Sequence, residues 1–118
     1  MVLHAGYLHW YGDYDAALRR AWDQHKDLLV VLTLPRSPQA ARLIRAVQND
    51  APLSATIASR FVGVIITVDS RTHYPNEMYY APKFPAVFFV DAAREISRIS
   101  PCMGADVLTC LRNRLTQY

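Results

Sequence analysis

Two cysteines, Cys102 and Cys110, are all the chain contains, and they lie eight positions apart. That separation fits no redox dithiol motif. Long apolar runs are missing as well. The longest, 28–34 and 62–68, fall far short of the roughly 20 residues that span a bilayer and have the length of buried strands instead. No membrane insertion is expected. Residues 1–10 have neither the cationic start nor the apolar stretch of a signal peptide. Basic clusters are absent too. Net charge is +3, and the eleven arginines and two lysines are spaced along the chain without interleaved aromatics. A mild, dispersed excess of this kind is not a nucleic-acid footprint, and no nucleic-acid partner is expected. The four histidines, His4, His9, His25 and His73, form no HxxxH pair and no Cys/His pair at ligand spacing. Each reads as a surface or packing residue, and no metal or other cofactor is expected. No repeat, linker or low-complexity segment interrupts the chain, which reads as a single domain over 1–118.

What is present is a globular balance. Hydrophobic residues make up 52% of the 118 positions and charged residues 19%, enough to bury a real core. The first element is a helix. Asp13 or Asp15 caps its start. Tyr14, Ala17, Leu18, Ala21, Trp22 and His25 recur at helical spacing and predict one buried face. The helix stops near 26–27. Consecutive aliphatics from Leu28 to Leu32 then predict a central strand over 28–33, covered on both faces. Pro35 and Pro38 make 34–38 a loop. Ser37 followed by Pro38 is a helix-start signature, a hydroxyl cap and then proline at the first helical position. Ala40, Leu43, Ile44 and Val47 mark the helix that follows, and 49–52 ends it.

A short helix is expected over 53–60, with Leu53, Ile57 and Ala58 inward, and a strand over 61–68. A polar, tyrosine-containing segment follows over 69–81, with one helical turn near 77–80. A third strand is expected over 85–90, a tight turn over 91–94, and an outer hairpin strand over 95–100 in which Ile96 and Ile99 alternate against polar neighbours. The closing helix spans 104–115, with Val107, Leu108, Leu111 and Leu115 facing in. Alternation in the first half implies right-handed parallel crossovers, and the last strand pair is an antiparallel hairpin. The expected class is α/β, a mixed central sheet with helices on both faces.

Local motifs narrow this. In Trp10-Tyr11-Gly12-Asp13-Tyr14-Asp15-Ala16-Ala17-Leu18 an aromatic precedes a helix of "AL..A" type. Lys26-Asp27-Leu28-Leu29-Val30-Val31-Leu32 has a "K-x-hydrophobic" core strand. Phe84-Pro85-Ala86-Val87-Phe88-Phe89-Val90-Asp91 matches an "x-P-T-hydrophobic-D" strand, and Glu95-Ile96 the hairpin after it. In this order, the motifs make nearly the whole chain resemble the thioredoxin-like family. The resemblance implies the thioredoxin fold and a cis proline at Pro85. It also exposes a departure. Laying Pro35-Arg36-Ser37-Pro38-Gln39-Ala40 on the family's "P-W-C-P-Y-C" puts Ser37 and Ala40 where the two cysteines would be, and Arg36 where the tryptophan would be.

Disulfide exchange needs a thiolate attacker and a second thiol to resolve the mixed disulfide. A helix N-terminus lowers the attacking thiol's pKa. Here that terminus holds Ser37, whose hydroxyl neither forms nor breaks a disulfide. It serves acyl transfer only beside a base. No histidine is near it in sequence, which leaves His9 and His73 to approach in space. Ser37 therefore reads as a cap, and no catalytic residue is assigned. Cys110 on the last helix reads as a small buried hydrophobe, and Cys102, after Pro101, as partly exposed. A structural bond between them is the alternative, if the loop folds back to bring their Cα atoms within about 7 Å.

What the resemblance implies as surviving function is protein or extended-peptide binding. The family's cis proline exposes main-chain groups of the residue before it, here Phe84, to an extended polypeptide. Arg36 and Lys83 are expected to project toward the same end of the sheet, beside the free N–H groups at Pro38 and Gln39, where an acidic peptide or small anion would dock. Tyr74 and Tyr79 are interface candidates, while Tyr80 and Phe84 pack against the sheet. The expected site is thus Arg36, Ser37, Pro38, Gln39, Lys83, Phe84 and Pro85, with Tyr74 and Tyr79. The expected role is a redox-inactive binding or assembly module. The alternatives are a thiol–disulfide oxidoreductase using Cys102 and Cys110 or a partner's thiol, and a purely structural or oligomerising domain. Relatives of this type are frequently bacterial and exported, which is consistent with a periplasmic location.

Overall fold

A computed structural model describes residues 8–68, 79 and 81–118. The expected turn near 77–80 lies, Tyr79 apart, outside the described residues, as do His4, His73, Tyr74 and Tyr80. The aliphatic run forms β2 (Asp27–Thr33), and every residue after Asp27 in it is buried. Only a central strand covered on both faces accommodates such a run. β2 pairs in parallel with β3 (Phe61–Thr67) along its full length and antiparallel with β4 (Ala86–Asp91). β5 (Ile96–Met103) adds antiparallel to β4. A two-residue strand, β1 (Trp10–Tyr11), completes the order β1-β3-β2-β4-β5. Periodicity does not signal β1, because two residues are too few to show a period. It is held by Trp10 lying flat over Gly63, where an added Cβ would meet the indole ring at 2.7 Å.

The pleat sends alternate β2 residues to opposite faces. Leu28, Val30 and Leu32 pack with Val64, Phe88 and the buried side of α1 (Tyr14–Gln24). Leu29 and Val31 pack with Phe89 and with α2 (Pro38–Asn49), α3 (Ala51–Arg60) and α4 (Val107–Gln117). Helices therefore cover both faces of a mixed sheet, which is the thioredoxin-like α/β fold expected above. Asp13 caps α1 by accepting from the Asp15 N–H at 3.2 Å, and Asp50 caps α3 by accepting from the Leu53 N–H at 3.1 Å.

Four expectations about burial and bonding are corrected. Trp22 is 48% exposed. It sits one step round the helix from Ala21, and its indole N–H donates to the Ala92 carbonyl at 2.7 Å, so it clamps the β4–β5 turn rather than entering the core. His25 is exposed because it is the left-handed C-cap of α1, φ 54°, which swings it off the helical face. Ile96 is exposed and Ile99 half-buried. An odd spacing along a strand sends two side chains to opposite faces, and the β4–β5 register shifts at Phe89 and Val90. β5 runs on through Pro101, which an edge strand tolerates. Cys102, expected to be partly exposed, is 1% exposed and is joined to Cys110 by a disulfide. A 3-10 turn, Gly104–Asp106, folds the chain back after β5 and brings the two Cα atoms to 5.7 Å. Cys110 is thus a crosslink and not a free apolar side chain.

Candidate functional site

The sheet register gathers the expected site at one end of the molecule. Leu32 pairs with Ala86, and Thr33 pairs with Thr67. The loop after β2 and the residues before β4 therefore leave the sheet side by side. In the loop, Leu34 is 46% exposed and Arg36 takes a left-handed backbone, φ 53°. The Ser37 Oγ then accepts from the Ala40 N–H at 3.1 Å and donates to Gln39 Oε1 at 3.3 Å. Pro38 occupies the first turn of α2. Beside the loop, the Phe84–Pro85 peptide is cis. Pro85 is buried, and its carbonyl accepts from the Gly104 N–H at 3.0 Å. Among the described residues, neither main-chain group of Phe84 has a backbone partner. Its ring is half-buried against the α1 side of the core. Lys83 is exposed, with its stem lying over Gly104, whose φ of +80° is a left-handed backbone that favours glycine.

A groove of about 630 Å³ joins these parts. Gln39 at the start of α2 and Pro85 both line it, together with Gly104, Ala105 and Leu108 at the β5–α4 turn. Its other wall is the outer side of α2, including Arg42 and Arg45. Those two arginines are not among the expected site residues. The one available signal is that α2 carries cations and no acidic residue. Arg36, Ser37, Pro38, Gln39, Lys83, Phe84 and Pro85 all fall at this end of the sheet. Tyr74 lies outside the described residues. Tyr79 is corrected: it is 3% exposed, and its hydroxyl shares a hydrogen bond of 2.8 Å with that of Tyr14. Its ring meets Phe88 edge-on at 5.1 Å. Sequence presents Tyr79 as one of several tyrosines in a polar stretch, and only the sheet below it decides that it turns inward. Burial raises its pKa to about 12, against an opposing contribution from the Tyr14 hydrogen bond. Burial, then the Tyr79 bond, also pushes the Tyr14 hydroxyl upward.

The chemistry of the corner follows from its partners. Ser37 Oγ is engaged with a main-chain N–H and an amide, and neither is a base that would activate it. His9 is exposed and stacks edge-on against Tyr11 at 4.8 Å. Among the described residues no cluster of His, Cys, Asp or Glu has the arrangement of a metal site. No helix among them is long and apolar enough to cross a membrane. The disulfide sits elsewhere, between β5 and α4. There Cys102 belongs to the apolar cluster of Val107 and Leu111, and half-buried Cys110 packs against it.

Comparison with known proteins agrees with the architecture. The solution structure of a thioredoxin from Thermus thermophilus superposes with a TM-score of 0.72 at 22% identity, covering 93% of this chain and 85% of that one. A thioredoxin from Trichomonas vaginalis superposes with a TM-score of 0.63 at 20% identity, covering 96% and 97%. At such identities the likeness establishes the fold. No curated protein matches the sequence. The model of a family described as thioredoxin-like matches residues 9–92, the span from β1 to the end of β4. With that match over most of its length and the fold to support it, the chain belongs to the thioredoxin-like family.

Proposed function

We propose that this thioredoxin-like chain is a protein-binding module that holds an extended polypeptide at the Pro85 corner and does not exchange disulfides there. The observation that carries this reading is the main chain of Phe84, which has no backbone partner among the described residues, beside a sulfur-free helix start. A free N–H and C=O at the end of a strand are what an added strand pairs with. Exposed Leu34 offers the incoming chain an apolar contact next to those groups. Arg36 and Lys83 flank it as exposed cations, and Ser37, Pro38 and Gln39 close the helix side. Ser37 and Ala40 bear no thiol, so a mixed disulfide has no attacker at this place.

A second reading rests on the disulfide itself. An oxidoreductase using Cys102 and Cys110 would pass two electrons from a thiol reductant to a substrate disulfide. Attack on either sulfur requires access, and Cys102 is almost wholly enclosed. That favours a structural bond.

Two measurements test the proposal. Insulin reduction by dithiothreitol, followed by turbidity, is expected to run at the same rate with and without the protein. Acceleration that vanishes in the Cys102→Ser/Cys110→Ser variant would establish the oxidoreductase instead. Titration of the ¹⁵N-labelled chain with S-carboxymethylated insulin B chain is expected to shift the amides of Phe84 and Ala105 first. Shifts confined to other parts of the surface would overturn the corner as the binding site.

A further inference from the structure

We infer that the groove between α2 and α4 takes an acidic and apolar segment of a partner polypeptide, whose carboxylates meet Arg42 and Arg45. The inference rests on the reading that the Pro85 corner binds an extended chain, because the groove opens at Pro85 and Gly104 and is continuous with that corner. Gln39, Arg42, Ala46 and Asn49 recur every three or four residues, so one stripe of α2 forms the wall. Leu43, Ala46, Val107 and Leu108 supply an apolar floor. The volume, about 630 Å³, lies within the range of ligand clefts.

Charge identifies the occupant. Arg42 and Arg45 are exposed, three positions apart on one helix, where like charges repel. Neither has an ion-pair partner among the described residues, and no carboxylate lines the groove. The acidic groups nearest in sequence are otherwise placed. Asp50 caps α3 and is held by Arg112 at 2.9 Å, and Asp106 is exposed outside the lining. Lys83, over Gly104, adds a third cation near the mouth, without an ion-pair partner among the described residues. Elsewhere several arginines have carboxylate partners within the fold. Arg98 meets Asp27 at 2.7 Å and Asp91 at 3.2 Å. The groove therefore has guanidinium groups that no carboxylate among the described residues satisfies, and guanidinium pairs well with carboxylate. An apolar floor without an aromatic side chain in the lining suits a peptide better than a stacked nucleic-acid strand.

The test uses fluorescence anisotropy with three labelled peptides of one length and one set of leucine, valine and alanine positions. Their remaining positions are all glutamate, all glutamine or all lysine. The full chain is expected to bind the glutamate peptide about tenfold more tightly than the glutamine peptide, and the lysine peptide most weakly. The Arg42→Glu/Arg45→Glu variant is expected to reverse that order, with its circular dichroism unchanged because both side chains are exposed. Equal binding of the glutamate and glutamine peptides would overturn the inference and leave peptide binding at the corner standing. If none of the three peptides binds, the proposed function fails and this inference fails with it. Tighter binding of a single-stranded RNA or of phosphatidylglycerol vesicles, lost in the variant, would reassign the arginines to a different polyanion. Self-association in sedimentation equilibrium that the variant abolishes would assign the groove to a second copy of the chain.

Discussion

Two regions of this molecule divide between them what a thiol–disulfide centre requires together. The start of α2 has an open helix terminus, a cis proline beside it and solvent access, but its polar group is a serine. The β5–α4 junction has both sulfurs, but they face an apolar cluster and Cys102 is enclosed. A thiolate is stabilised by a helix terminus or a neighbouring cation and must be reachable. Sulfur packed among Val107, Leu111 and the sheet has neither advantage. The pairing teaches that cysteine count says little about redox function until the location of each sulfur is known. Here the sulfur bonds a strand to a helix, and the start of α2 carries none.

The comparison is broken most directly by moving the sulfur. The Ser37→Cys/Ala40→Cys variant places two thiols at the start of α2, and insulin reduction is expected to rise at least about tenfold above the reductant alone. No rise would mean that the corner has lost more than its cysteines. At the other region, Cys102→Ala/Cys110→Ala opens a crosslink between residues eight apart. Chain entropy for so short a loop predicts a loss of about 2–3 kcal/mol in urea unfolding, with reductase activity still at background. Alkali separates the regions by another route. Tyr79, buried against Tyr14 and Phe88, has an ordinary pKa of 10 raised to about 12 in the folded state by burial. Its contribution to stability is complete below pH 10 and is lost as pH rises toward 12. The urea midpoint is expected to hold to about pH 9 and to fall across that window, with less fall in Tyr79→Phe. The smallest effect belongs to Ser37→Ala. Loss of the cap is expected to cost about 1 kcal/mol and to leave activity at background. A larger loss, or a changed turnover, would show that Ser37 does more than close the helix.

Much of this was legible in the linear chain. The Ser37–Pro38 helix start, the buried β2 run and the closing helix were all written in local patterns, and the missing thiols were visible against the family motif. Other features were not. Trp22 occupies a helical position compatible with burial, yet a carbonyl in the β4–β5 turn draws it to the surface. Ile96 and Ile99 read as alternating with polar neighbours, but how far each is covered depends on the irregular β4–β5 register. Arg42 and Arg45 are ordinary solvent-facing residues on a helical wheel, and become a candidate site only when α4 and Pro85 stand opposite.

By itself, then, the sequence determined the longer helices and strands, the start of α2 at Ser37–Pro38, and that no dithiol sits there. These depend on hydrogen bonds, backbone preferences and side chains within a few residues of each other. The tertiary structure decided that Tyr79 turns inward onto Tyr14, that Cys102 bonds Cys110, and that α2, α4 and Pro85 enclose one groove. Each of those outcomes depends on what a distant segment places alongside. A side chain's burial and its partners are properties of the packed assembly of elements, not of the local pattern that builds any one of them.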